Sequence, residues 1–331
     1  MQRLLPLVLC AGLASSCYLP PAAPPVTLTP LADRVRVEIG GRPFTEYIYG
    51  DGAMQPYLYP VLAGDGTPLT RDFPMKDTPG EDQDHPHHRS LWFAHSAVDG
   101  FDFWNEGKAG GSGPESKGTI RHEALLTVQS GPVGIIRATD RWLAPDGRLV
   151  CTTDTTIRFH ATAAGRFIDF AVTLQARPDE PLQLGDSKDG TMAIRLAQWM
   201  TQPHKYQHRD EPGAGHVVTS TGRRDAAAWG RRADWCDYHA PHLGRIYGVA
   251  IFDHPENLRH PTWWMARDYW LFGANPFGQH DFENLRDQPH AGDYTVPPGG
   301  SLTFRYRFFF HGGDEADAQV AARYAEYAAG K

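Results

Sequence analysis

The chain has 331 residues, with 39 Asp and Glu against 32 Lys and Arg and a formal net charge of −7 at pH 7. That length carries a large core, and an acidic balance without any basic block leaves no electrostatic footprint for nucleic acid. With 41% hydrophobic and 21% charged residues, 34 Gly and 27 Pro, the chain reads as folded and turn-rich rather than low-complexity, and its 16 His and 9 Trp suit a polar ligand site with stacking surfaces.

Residues 1–17 read as an export signal. Arg3 supplies the positive start, Leu4 to Leu13 form an apolar run broken by Pro6, and Ala14, Ser15 and Ser16 precede Cys17. The run is too short for a stable membrane anchor. A small-residue run ending in Cys resembles a bacterial lipoprotein signal, in which Cys17 is lipidated and becomes the new N-terminus; the alternative is an ordinary signal cleaved near Cys17. Residues 18–26, with Pro20, Pro21, Pro24 and Pro25, suit a semi-rigid tether. No later stretch approaches 18 consecutive apolar residues. Cleavage would leave Cys151 and Cys236 as the cysteines of the body; an oxidising compartment lets such residues pair, but two separate buried thiols are the expectation.

From residue 27 onward the pattern is β. Ile120, His122, Ala124, Leu126 and Val128 alternate with polar residues, with Leu125 as the exception. Thr152 to Thr162 is rich in β-branched residues. Ile168, Phe170, Val172 and Leu174 alternate again, as do Leu302, Phe304, Tyr306, Phe308 and Phe310. Period-two patterns set one face on a core and the other toward water. Turn signals separate the runs at Pro145-Asp146-Gly147, Ala164-Gly165 and Pro297-Pro298-Gly299-Gly300. One helix is expected, Asp314 to Ala329, with Val320, Tyr324 and Tyr327 at helical spacing and acidic residues in its first turn. Many strands, one late helix and no βαβ alternation predict an all-β protein, a large antiparallel two-sheet β-supersandwich forming a single domain over 27–331. Residues 70–90, 105–118, 200–245 and 253–292 lack alternation and are expected as the long loops that carry function.

Four constellations stand out in these loops and beside them. The densest is Asp82-Gln83-Asp84-His85-Pro86-His87-His88-Arg89, followed by a strand-like stretch reaching His95. Three histidines in four residues beside carboxylates offer acid and base groups. They equally offer ligands for a divalent metal, with His85, His87 and Asp84 as the candidate set. The bland alternative is a polar loop whose imidazoles bond backbone carbonyls. In the second, Gly185-Asp186-Ser187-Lys188-Asp189-Gly190, Asp186 and Lys188 could orient sugar hydroxyls, and Arg195 downstream could hold a hydroxyl or an anion; an Asp/Gly turn with solvated charges is the alternative. The third, Trp235-Cys236-Asp237-Tyr238-His239, sets Asp237 against aromatic faces, with Tyr238 as a stacking candidate. The fourth runs from Asp253 to Gly278. Trp263 or Trp264 could stack on a sugar, only one of them facing a pocket, while His254, His260, Arg267 and Asn275 bond its hydroxyls. The chain contains no nucleophile elbow, P-loop, GxGxxG fingerprint, His-Glu-x-x-His or paired CxxC.

Several of these stretches resemble a known family. DHPHHRSLWFAHSAVDGFDFW from Asp84 to Trp104 is similar to the signature of bacterial proteins labelled "methane oxygenase PmoA", or PmoA-like. So are GDSKDGTMAIRLA from Gly185, WCDYH from Trp235 and AIFDHPENLRHPTWWMARDYWLFGANPFG from Ala250, and the resemblance spans about residues 30 to 312. One departure is Ser90, where the family usually has Gly. A methane monooxygenase subunit of that name spans the membrane several times, and this chain has no such span after its signal, so methane oxidation is not expected of it. The family is largely of unknown function; its β-rich pattern resembles galactose-mutarotase-type supersandwiches, which act on or bind carbohydrate, a likeness of fold.

The expectation is therefore an exported protein, periplasmic or lipid-anchored, that binds a sugar or oligosaccharide in a cleft. His87 or His88 would act as acid or base with Asp186 or Asp237 as partner, and Arg89, Lys188 and Arg195 would hold hydroxyls or developing charge. Hydrolysis, epimerisation and elimination all need such a pair about a ring. The alternatives are a metal-dependent enzyme centred on His85, His87 and His88, and a non-catalytic glycan-binding lipoprotein. Carbohydrate is the expected partner, nucleic acid is not, and contact with a membrane would come only through an N-terminal lipid.

Overall fold

The structure, a computed structural model, describes residues 23–50, 52, 54–106, 116–202 and 214–330. The expected signal, Cys17 and most of the tether lie outside the described residues. In chain order the strands are β1 (Val26–Pro30), β2 (Arg34–Ile39), β3 (Arg42–Ile48), β4 (Tyr57–Leu58), β5 (Leu91–His95), β6 (Thr119–Gln129), β7 (Gly134–Leu143), β8 (Leu149–Thr162), β9 (Gly165–Ala176) and β10 (Leu182–Leu184). They continue as β11 (Gly190–Arg195), β12 (His216–Thr219), β13 (Arg232–Ala233), β14 (Trp235–His242), β15 (Arg245–Asp253), β16 (Thr262–Ala266), β17 (Leu271–Asn275), β18 (Tyr294–Val296) and β19 (Ser301–Gly312). Two short α-helices, α1 (Gln279–Phe282) and α2 (Val320–Ala328), and two 3-10 turns, Gln198–Met200 and Asp225–Ala228, accompany them among the described residues.

Two large sheets face each other. One has nine strands in the order β1-β2-β3-β4-β5-β11-β17-β16-β13, the other eight in the order β12-β14-β15-β19-β9-β8-β7-β6, and every pairing within both is antiparallel. The chain is thus the all-β sandwich its alternation predicts. The core fills the gap between the sheets. Phe44 packs edge-on to Phe159 and Phe310, and Phe93 meets Trp142 and Phe304. Aromatic pairs of this kind add about 0.5–1.5 kcal/mol each beyond their burial.

Strand periodicity holds where one face meets water. Ile168, Phe170 and Val172 are buried between half-buried Asp169 and Ala171. It slips in β6, where the register shifts between His122 and Ala124 and again between Leu125 and Thr127. The two bulges turn Leu125 onto the core and leave Leu126 half exposed, reversing the expected faces there.

Two other expectations are corrected. The stretches 200–245 and 253–292 are not purely loop, since they contain β12 to β14, β16 and β17. Both β16 and β17 are buried along their whole length, as are β5 and β11. A strand covered on both faces shows no alternation to read. The C-terminal helix begins at Val320 instead of Asp314. Asp314 takes the backbone N–H groups of Ala316 and Asp317 on its carboxylate, and Gln319 has a left-handed φ of 54°, so the first six residues form turns. The helix covers the outer face of the eight-stranded sheet, where Val320 and Tyr327 pack with Phe167, Trp235, Phe252 and Phe309. Cys151 and Cys236 are separate buried thiols.

Candidate functional site

The centre of the nine-stranded sheet carries the densest polar cluster. Register brings three chain segments to one end of it. Leu91 at the start of β5 pairs with Ile194 of β11, and Arg195 at the end of β11 pairs with Leu271 at the start of β17. The His-rich segment leads into β5, residues 70–71 lie against the end of β11, and the β16–β17 turn, closed by a hydrogen bond from Trp270 N–H to the Arg267 carbonyl (3.1 Å), completes the rim. Strand alternation points Trp92, Ala193 and Arg195 away from the inter-sheet core and toward this cluster.

Asp84 is its hub. Both Arg71 and Arg195 donate to Oδ1, the latter at 2.7 Å, and His85 Nδ1 donates to Oδ2 at 2.7 Å. The side chains of Arg71 and Arg195 are fully buried. Burial alone would raise the Asp84 pKa; the His85 hydrogen bond and the charges of Arg195 and Arg71 outweigh it and hold the carboxyl well below the usual range. Arg71 is also fixed by the carbonyls of Phe73 and His85. Burial, with the charge of Arg195 adding to it, lowers the Arg71 guanidinium to about 10 against the pull of Asp84.

The imidazoles divide into two kinds. His87 and His88 are 5% and 1% exposed, whereas His85 is exposed. Burial, then neighbouring positive or protonatable groups, pushes His87 down to about 3 and His88 well below its ordinary value. Arg195 Nη1 donates to His88 Nδ1 at 2.8 Å, which leaves the His88 proton on Nε2. Burial therefore favours the neutral form of both rings, in contrast to the exposed His85. The exposed ring is His85, whose Nδ1 is engaged by Asp84. It lies flat between Tyr269 (5.4 Å between centroids) and His88 (4.7 Å), and His88 in turn stacks on Trp92. His85 holds a left-handed φ of 45°, and Ser90, where the resembling family has Gly, holds 59°. That region suits Gly, so both positions carry backbone strain for a residue with a side chain.

Register separates the second constellation from this end of the sheet. Gly190, at the start of β11, pairs with His95, five residues or roughly 17 Å from Arg195 along the strand. Asp186 there accepts the backbone N–H groups of His280 and Gly292, with His280 Nδ1 2.8 Å from its other oxygen. Lys188 faces Asp281 of α1 at 3.9 Å, and Asn275 bonds the Ser187 carbonyl and the N–H groups of Phe277 and Gly278. These residues hold loops. The charge of the neighbouring Asp189 still bears on His87, which links the two ends across the same face.

The third constellation belongs to the other sheet. Asp237 is fully buried on β14 and accepts from His239 Nδ1 (2.6 Å) and His311 Nε2 (2.8 Å). Tyr238 is fully buried in the inter-sheet core and offers no stacking surface. In the fourth, His260 donates to Asp253 (2.8 Å) and approaches Tyr324 of α2, while His254 meets Tyr327 edge-on. Trp264 is core, its indole N–H on the Ala233 carbonyl; Trp263 lies beneath Arg232 and donates to Glu283. Arg89 forms a two-point pair with Glu106. Of the expected residues, Asp84, His85, His87, His88, Arg195 and Arg267 therefore share one region, and Asp237, Tyr238, His254 and His260 do not.

Arg71 and Tyr269 join the cluster without having been given a role in the sequence. An isolated Arg in a loop carries no local signal, and Tyr269 reads as one more aromatic until the β16–β17 turn sets it on His85. The expected metal set fails on charge: both oxygens of Asp84 are occupied, and two guanidinium groups beside it repel a cation. Among the described residues, the group whose ligand atoms all lie within 4.8 Å of one another is Asp237, His239 and Glu315. There Arg224 pairs with Glu315 at 2.6 Å and supplies positive charge without an ion.

Fold and site together define an all-β two-sheet sandwich protein with a polar Asp–His–Arg cluster on the outer face of its larger sheet. The family of unknown function DUF6807 matches residues 34–326, and the chain belongs to it. No curated protein matches. Solved structures resemble it distantly. An α-galactosidase from Lactobacillus brevis is 9% identical with a TM-score of 0.40 over 87% of this chain and 39% of its own. The GH36 α-galactosidase AgaB from Geobacillus stearothermophilus is 12% identical with a TM-score of 0.39 over 87% and 41%. A galactose mutarotase related enzyme from Lactobacillus acidophilus is 9% identical with a TM-score of 0.32 over 86% and 97%. The chain thus spans about two fifths of the galactosidases.

Proposed function

We propose that this is an exported carbohydrate-active protein that binds a sugar over the Asp84–His85 cluster and moves a proton through His85. One observation carries the reading: an exposed imidazole is held at Nδ1 by a carboxylate that two buried arginines keep ionised. That arrangement fixes the tautomer and leaves Nε2 as the proton acceptor. Because Arg71 and Arg195 hold Asp84 as an anion, the carboxylate orients the ring and does not itself take the proton. The ring stack from Tyr269 through His85 to His88 restricts the ring plane, so the acceptor meets substrate in one orientation. The buried His87, whose Nδ1 has no partner among the described residues, offers a hydrogen bond suited to a sugar hydroxyl. Hydrolysis, epimerisation and elimination all draw on such a proton-exchanging group. Among the described residues no helix is long and apolar enough to cross a membrane.

The test is His85→Ala on the full chain. His85 is exposed, so its loss should leave the melting temperature within about 1–2 °C. Glycan turnover should fall by at least about 100-fold, as for removal of a general acid–base group. Unchanged turnover in the variant, or no glycan bound by the wild type across a broad array, overturns the reading.

A further inference from the structure

We infer that the sugar bound at this site is acidic and that Arg267 receives its carboxylate; this rests on the sugar-binding reading above. The inference starts from what the other cations near the site are doing. Arg71 and Arg195 are committed to Asp84, Arg89 to Glu106, and Lys188 faces Asp281. Arg232 donates to the carbonyls of Pro261 and Arg259, and Arg259 to those of Pro276, Gly292 and Asp293. Arg267 alone in this group has no ion pair and no side-chain hydrogen bond among the described residues, and its buried Nε lacks a partner.

A guanidinium has five N–H donors, and a buried donor without an acceptor costs stability. Here the group is held in place by rings. It lies over the Trp229 indole at 3.5 Å from the ring centroid, and 5.9 Å from the Tyr269 ring centre. Trp229 is itself braced edge-on by Phe282. Tyr269 is the ring that stacks on His85, so the uncommitted cation and the proton-exchanging imidazole flank one aromatic side chain. Alternation along β16 puts Arg267 on the same face as Trp263 and Met265, the face that Arg195 also occupies. A planar, pre-oriented fork with its charge unmatched fits the two oxygens of a carboxylate. A hydroxyl could satisfy one donor but would leave the charge unmatched. The chemical class is therefore a uronic acid or another sugar carrying a carboxylate on the carbon next to the ring.

The experiment is a glycan array spanning neutral and uronic-acid glycans, followed by calorimetry with the best glycan of each kind on wild type, Arg267→Gln and Arg267→Lys. Wild type should bind the acidic glycan about 10- to 100-fold tighter than its neutral counterpart, the range for a charge-assisted two-point contact. That preference should weaken as salt rises. Arg267→Gln should abolish the preference while leaving neutral-sugar affinity within about threefold, and Arg267→Lys should keep part of it. Neutral glycans binding as tightly as acidic ones, or Arg267→Gln weakening both alike, overturns the inference and leaves the sugar-binding reading standing. No binding of either class overturns both.

Discussion

Asp84 shows how charge, rather than conformation, organises the site. Its loss would strand Arg71 and Arg195, both with fully buried side chains, without a counter-charge. Removing one partner of such a cluster costs about 3–5 kcal/mol, so Asp84→Ala should lower the unfolding free energy, read from denaturant titration, by about that much. A variant within about 1 kcal/mol of wild type would show that the arginines find other acceptors. Ser90 makes an opposite prediction. Its φ of 59° strains a non-glycine residue, and its buried hydroxyl has no partner. Ser90→Gly should therefore stabilise the chain by about 0.5–1 kcal/mol, relief of strain exceeding the added freedom of the unfolded chain; a lower melting temperature would contradict it. The histidines set the pH dependence. His87 folds with its pKa lowered to about 3, and burial lowers His88 and His95 as well. Unfolding returns them to about 6.5, so the unfolded chain binds more protons below that pH. Stability should fall as pH drops below about 6.5 and keep falling toward 3. Asp84 acts in a separate window: its contribution is present above about 3.9 and is lost only as pH falls through its depressed folded value. Urea midpoints between pH 7 and 4 check this, and His87→Gln should flatten the slope.

At the level of elements, the legible parts and the illegible ones have one physical cause. Strands β8, β9 and β19 showed themselves because part of their length has one face toward water. Strands β5, β11, β16 and β17, which build the site, are buried on both faces and so carry no period-two signal. The bulges of β6 were foreshadowed by Leu125 breaking the alternation, yet which leucine would turn outward was decided by pairing with β7. The short helix α2 covers an aromatic patch on the eight-stranded sheet. Deleting residues 320–331 should expose Phe252 and Phe309, raise binding of a hydrophobic dye and lower the melting temperature. An unchanged melting temperature would mean the helix is not needed as a cover.

At the scale of the whole molecule, two classes of statement had different sources. The sequence alone determined the all-β class, the antiparallel sandwich, the presence of a late helix and the unusual density of His, Asp and Arg before β5, because composition and periodicity follow from which residues tolerate water and which do not. It also marked Arg195 and Arg267 as candidates by residue type. Only tertiary structure decided which candidates meet. Strand order sets β5 beside β11 and β11 beside β17, which gathers Asp84, His85, Arg195 and Tyr269 from positions up to 185 residues apart. The same order sends Asp237 to the opposite sheet and His260 to the packing of α2. It also decided that His87 and His88 are buried and neutral while His85 faces solvent, since burial depends on what the rest of the chain lays over a side chain and adjacent histidines have no local property that tells them apart.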